Sequence, residues 1–272
     1  GGAHALLAGA PGTRERHLAE ALRHFADGDP LVPATALLPA LTSHPDPVLD
    51  AFRTRLRGPH REAADCLRRL LADATTPALA RAAATLLREA ARPHPETAGR
   101  IATAVDRRLD HGPAARPTLF PLVTGLLRDG PEPLRAALAT VLAASDSRTP
   151  GGRGRTFDSG ASGTPRAELL DFLLAREQEP SVLVAVLHAA ASETGPADDV
   201  RALVHRTGLL LSRTPEGATR FDRALVDLGR HVPGFATRMT RWLAGAPDEW
   251  AAVVGPGTRR TLENLGGARV PA

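Results

Sequence analysis

The stretch Thr214–Leu228, TPEGATRFDRALVDL, contains a complete helix signature. The Thr hydroxyl can accept a hydrogen bond from a free backbone N–H, and Pro occupies a first-turn position whose N–H is not needed. Apolar residues then recur at the spacing of a helix with one buried face, at Phe221, Ala224, Leu225 and Leu228. The stretch therefore predicts an amphipathic helix that packs against other helices.

The same signature recurs along the chain. A capping residue directly precedes Pro at Asp46-Pro47, Thr76-Pro77 and Thr164-Pro165, and with a weaker cap at Glu132-Pro133 and Glu179-Pro180. The apolar period continues in four further sets: Leu18, Ala21, Leu22, Phe25; Val48, Leu49, Phe52, Leu56; Leu79, Ala82, Ala83, Leu86, Leu87; and Leu134, Ala137, Leu138, Val141, Leu142. No stretch alternates convincingly as a strand would. The sequence predicts an all-α fold.

Four segments share one order: an apolar helix end, a short polar turn, a Pro and a new apolar helix. They are Ala36–Leu56, Leu67–Leu87, Leu122–Leu142 and Leu169–Ala189. Their central Pro residues, Pro47, Pro77, Pro133 and Pro180, lie 30, 56 and 47 positions apart. The second spacing is close to two repeats, and the third falls to about 31 without the Gly-rich insert, so the period is roughly 30.

This pattern resembles HEAT or armadillo-type repeats over roughly residues 31–228. The resemblance implies an α-solenoid of antiparallel helical hairpins, and we expect residues 1–272 to form a single such domain. The interval Pro95–Leu109 departs from the pattern, because it is typical of one helix where a pair is expected. The tail, at about 233–267, is interpreted as an atypical helical C-terminal cap; it contains Met239, Trp242, Leu243, Trp250, Val253, Leu262 and Leu265.

The segment Thr149–Thr164 is rich in Gly and polar residues and has little apolar surface. Such a composition cannot bury enough apolar area to offset the entropy of ordering. The repeat phase resumes after it. We therefore expect a flexible insert at about 149–164 within one solenoid rather than a linker between two domains.

The charge of the chain is close to balanced. Its 272 residues include 34 basic and 30 acidic side chains, so the net charge is +4. The pI near 10.8 mostly reflects the fact that every basic residue is Arg, which does not deprotonate. Opposite charges are interleaved, as in Asp106-Arg107-Arg108-Leu109-Asp110. This arrangement favours solvated helix faces over a nucleic-acid surface, and the absence of Lys and Tyr suggests a GC-rich bacterial genome.

A cytoplasmic location is predicted. The single cysteine, Cys66, cannot form an internal disulfide, so no oxidising compartment is implied. The longest apolar stretch, Ser181–Ser192, contains His188 and is too short to cross a bilayer. The N-terminus shows no signal-peptide pattern. The chain begins Gly-Gly without Met, which favours the C-terminal region of a longer protein.

Leu6–Arg16, LLAGAPGTRER, is similar to the phosphate loop of ATPases. That loop ends in Gly-Lys-Ser/Thr, because an ammonium reaches the phosphates and a hydroxyl holds magnesium. Here Arg14, Glu15 and Arg16 occupy those positions, and a carboxylate in place of the lysine would repel the nucleotide. We interpret Pro11-Gly12-Thr13 as a turn and helix cap.

Asp158-Ser159-Gly160 is similar to the nucleophile turn of trypsin-like proteases. The flanking glycines of that turn are replaced by Phe157 and by Ala161-Ser162, and no His is placed as a base for Ser159. The ten histidines lack metal-binding spacing; His17 and His24 lie seven apart without a companion acid or cysteine. Cys66 lies in a helical stretch, where a small buried apolar role is expected.

Several Arg clusters could line a basic groove: Arg53, Arg55 and Arg57; Arg68 and Arg69; Arg153 and Arg155; Arg259 and Arg260. HEAT-like DNA glycosylases are solenoids that hold DNA. Reading single strands or bases normally requires aromatic platforms, and only 3% of this chain is aromatic. The alternative interpretation is that these Arg side chains cover helix faces and pair with nearby carboxylates.

The sequence as a whole predicts a non-catalytic protein-protein interaction scaffold. No catalytic, cofactor-binding or metal-binding residue is assigned, no small-molecule substrate is indicated, and the expected partner is another protein. A second hypothesis is a regulatory or sensor segment of an enzyme, such as a signalling ATPase or a protease, with its catalytic domain upstream. A nucleic-acid-binding HEAT-like module is the third.

Overall fold

The computed structural model describes residues 11–29, 32, 34–37, 39–41, 43–58, 66, 69, 76–92, 95–109, 116–144, 164–192 and 197–267. All regular structure in these ranges is helical and none is strand, which confirms the all-α prediction. Two 3₁₀ turns, Ala34–Leu37 and Pro39–Leu41, follow the first helix. The α-helices are α1 (Pro11–Ala26), α2 (Pro45–Arg57), α3 (Pro77–Ala91), α4 (Pro95–Leu109), α5 (Arg116–Asp129), α6 (Glu132–Ala143), α7 (Pro165–Leu174), α8 (Pro180–Ser192), α9 (Ala197–Leu211), α10 (Pro215–His231), α11 (Phe235–Gly245), α12 (Pro247–Ala251) and α13 (Pro256–Gly267).

The chain divides into two compact units, one up to Leu138 and one from Ala139, so the division falls inside α6. In the first unit α1 packs on α2, α2 packs on α3, and α3 packs on both α4 and α5. The single-domain organisation stays a prediction.

In the second unit α8 packs on α9 and α10, and α9 also packs on α10. Helix α10 contacts α11 and α13, which also pack on each other. Contact with both the next helix and the next but one is the pattern expected for stacked hairpins. The solenoid arrangement itself stays a prediction.

Three of the predicted helix starts have the capping bond that was expected. Thr76 Oγ1 accepts from Leu79 N at 3.2 Å. The corresponding bond from Ala167 N to Thr164 Oγ1 is 3.3 Å long. The third, from Gly217 N to Thr214 Oγ1, is 3.0 Å long. Each hydroxyl therefore satisfies one of the backbone donors that a helix leaves free at its N-terminus.

Two predicted starts were placed too late. Helix α6 begins at Glu132, so this residue is inside the helix and not a cap before it. Helix α2 begins at Pro45, so Asp46-Pro47 lies within its first turn and not before it. Helix α8 begins at Pro180, directly after Glu179, as predicted. In the turn before it, Glu177 Oε1 accepts from Glu179 N at 2.9 Å and from Gln178 N at 3.1 Å.

The predicted apolar faces are the buried ones. Phe52, Phe221 and Leu138 are completely buried, and Pro95–Leu109 forms one helix as predicted. The helical nature of the tail is confirmed by α11, α12 and α13, where Trp242 and Trp250 stack with ring centroids 6.3 Å apart. The other residues expected in that core are buried apart from Leu265, which is half-buried.

Arginine side chains tie helices together by bonding to main-chain carbonyls in the last turns of other helices. Arg100 Nη1 on α4 donates to Leu56 O of α2 at 3.1 Å. Arg166 Nη1 on α7 donates to Val141 O of α6 at 2.8 Å. Arg238 Nη2 on α11 donates to Ala191 O of α8 at 2.8 Å. These carbonyls lie at helix C-termini, where backbone acceptors are left over and positive charge is favourable.

The described helices include none that is both long and apolar enough to cross a membrane.

Candidate functional site

The residues similar to a phosphate loop do not form one in the part that the structure describes. Helix α1 begins at Pro11, so Gly12 and Thr13 belong to its first turn and do not precede it as a cap, which corrects the predicted turn. Arg14 and Glu15 are exposed on the following turn. The preceding residues, 6–10, lie outside the described ranges. The insert at about 149–164, with Ser159, also lies outside them except for Thr164.

The two histidines of α1 differ in their surroundings. His24 has acidic neighbours: its Nδ1 lies 3.2 Å from Asp29 Oδ2 and its Nε2 lies 3.9 Å from Glu20 Oε1. His17 is half-buried. Within the described residues no group of three or more His, Cys, Asp or Glu side chains is placed to hold a metal ion.

Cys66 is buried in helical backbone, as expected. Burial raises the pKa of its thiol to about 11, although Arg55 and Arg69 oppose the shift. A thiol in that state is neutral at physiological pH and therefore a poor nucleophile.

Several arginines of the first unit pair with carboxylates. Arg53 Nη1 lies 2.8 Å from Asp50 Oδ1. Along α3 and α5 a further network runs from Arg92 to Glu89 (2.9 Å), from Arg88 to Glu89 and Asp129 (3.3 Å each), and from Arg128 to Asp129 (3.2 Å). Among the residues of the predicted Arg clusters, Arg53 therefore pairs with a nearby carboxylate, as the alternative interpretation expects.

The remaining residues of the predicted Arg clusters are described in part. Arg57, Arg69 and Arg260 are exposed, and Arg259 Nη2 contacts Pro247 O at 3.4 Å. Arg53 and Arg259 belong to different compact units. Arg68, Arg153 and Arg155 lie outside the described residues.

A cleft of about 240 Å³ lies in the second unit, between the turn before α8 and the turn that joins α9 to α10. Its apolar lining comes from Leu183 of α8, from Leu210 and Leu211 at the end of α9, and from Pro180. Its polar lining is formed by Glu177, Gln178, Arg213 and Thr214. The cleft therefore combines an apolar floor with a polar rim.

Two capping interactions fix the rim. The buried side chain of Glu177 accepts the two backbone N–H bonds described above, which orients its carboxylate toward its own turn. Thr214 Oγ1 is occupied by Gly217 N. The chain between them continues from α9 in tight turns, with Thr214 N donating to Leu211 O at 3.3 Å. Backbone hydrogen bonds therefore hold both sides of the cleft.

One face of α9 is exposed. Ala202, Arg206 and Leu209 follow one another at helical spacing and lie on or near the surface, and Arg213 follows in the turn after α9. Leu209 is 46% exposed and is the only large apolar side chain classed as exposed among the described residues. Arg206 is paired with Asp171. The guanidinium of Arg213 has no ion pair or hydrogen bond within the part of the chain that the structure describes.

Sequence reasoning did not identify this site. Leu209–Leu211 is an apolar run at the end of a helix, and such a run indicates burial of all three residues when the neighbouring helices are unknown. No local signal in the sequence marked Leu210 and Leu211 as residues of a cleft.

No protein-family model, curated protein or solved structure matches this chain.

Proposed function

We propose that this protein is an α-helical interaction scaffold that binds a segment of another protein at the cleft between α8, α9 and α10. The observation that carries the proposal is the combination of an apolar floor, formed by Leu183, Leu210 and Leu211, with a polar rim. Buried anchors in small pockets supply most of the energy of protein recognition.

The size of the cleft supports a peptide side chain as its occupant. Pockets for drug-sized ligands have volumes of roughly 300 to 1,000 Å³. The cleft, at about 240 Å³, is smaller. Contacts between alternate helices, such as α3 with α5 and α8 with α10, also support a solenoid of HEAT or armadillo type.

The second candidate function is a regulatory or sensor segment of an enzyme. The same cleft supports it, because a segment that binds a peptide can also hold an inhibitory or activating element of a catalytic domain. The two candidates differ in whether the bound segment belongs to the same polypeptide. Reading the complete gene around the codons for this chain distinguishes them directly.

The experiment is selection of short random peptides displayed on phage against the intact chain. We expect enriched peptides whose binding is lost on Leu210→Asp, since Leu210 is a half-buried part of the cleft floor and a charge there cannot be buried against an apolar side chain. The matched control is Ala244→Asp, which adds the same charge at an exposed position of α11. Failure to enrich any binding peptide, or equal losses in both variants, would refute the proposed role of the cleft.

A further inference from the structure

We draw no further inference here: the strongest candidate, the cleft between the turn before α8 and the turn that joins α9 to α10, belongs to the site already described, and nothing in the described residues shows what fills it.

Discussion

Gly208 of α9 faces the ring of Phe221 of α10 so closely that a Cβ added to the glycine would stand 2.6 Å from Phe221 Cζ. Real Cβ atoms do not approach other atoms to that distance. Phe221 is completely buried, so its ring has little room to move away. The close approach of α9 and α10, whose ends form part of the cleft, therefore depends on a residue without a side chain.

Gly208→Ala should destabilise the protein by about 1 to 3 kcal/mol, the usual cost of overpacking a core. The control is Gly99→Ala in α4, where an added Cβ meets nothing within 4 Å. That substitution should stabilise the protein by roughly 0.5 to 1 kcal/mol, because Ala is the better helix former. Urea unfolding of both variants measures the difference. A Gly208→Ala variant at least as stable as the wild type would show that the two helices separate easily.

Thr214→Ala should cost about 1 kcal/mol, because it removes the acceptor for Gly217 N and leaves a helix donor unsatisfied. Thr219→Ala on the same helix is the matched control. The Thr219 hydroxyl is exposed and bonds only to Pro215 O one turn earlier, and Ala has the higher helix propensity. Comparison of melting temperatures is sufficient. Equal losses in the two variants would mean that the cap does not contribute to stability.

The thiol of Cys66 should react with a thiol reagent at mildly alkaline pH about a hundredfold more slowly in the folded than in the urea-unfolded chain. Burial raises its pKa from 9.0 to about 11, and reactivity follows the thiolate fraction. Fast labelling of the folded protein would contradict the burial of this residue.

The same shift predicts how stability depends on alkaline pH. The folded state holds the thiol proton more tightly than the unfolded state, so the stabilisation is complete below pH 9.0 and is lost as the pH rises toward about 11. The chain has no Lys or Tyr side chain that would titrate in that window. Cys66→Ala should therefore flatten the fall in urea midpoint between those pH values, and an unchanged slope would refute the assignment.

Nucleic-acid binding should be weak in the wild type because carboxylates neutralise the arginines along α3 and α5. Replacing both acids, Glu89→Gln with Asp129→Asn, releases Arg88 and its neighbours and should raise affinity for duplex DNA and steepen its salt dependence. The control pair, Asp248→Asn with Glu263→Gln, makes the same change in net charge at exposed sites. An equal gain in both pairs would attribute binding to net charge alone.

Most of the helix content could be predicted from sequence because it is encoded locally. Thr76, Thr164 and Thr214 each precede a Pro, and the cap and the following apolar period lie within one short window. The α2 start was misplaced by two residues because Pro is tolerated at several first-turn positions, so Pro47 does not by itself fix the boundary.

The candidate site depends on contacts that no local pattern encodes. Glu177 caps a turn that other residues could have capped, and its role follows only from the path of the backbone before α8. Leu209 is exposed and Leu211 is buried because of where α8 and α10 lie against α9. Long-range packing decides such differences, and apolar periodicity does not distinguish between two leucines at the end of one helix.

The hydrogen bonds from arginine side chains to main-chain carbonyls of other helices constrain the amino-acid type at the donor position more than at the acceptor position. Leu56, Val141 and Ala191 contribute a main-chain carbonyl to these hydrogen bonds. Every amino acid has this carbonyl, so a substitution at these positions leaves the acceptor in place. Arg100, Arg166 and Arg238 donate through their side chains, so a substitution at these positions removes the donor. During evolution the acceptor residues can therefore change with the packing of the core while the arginines are retained. Such contacts produce no correlated substitutions between the two positions in a family of sequences.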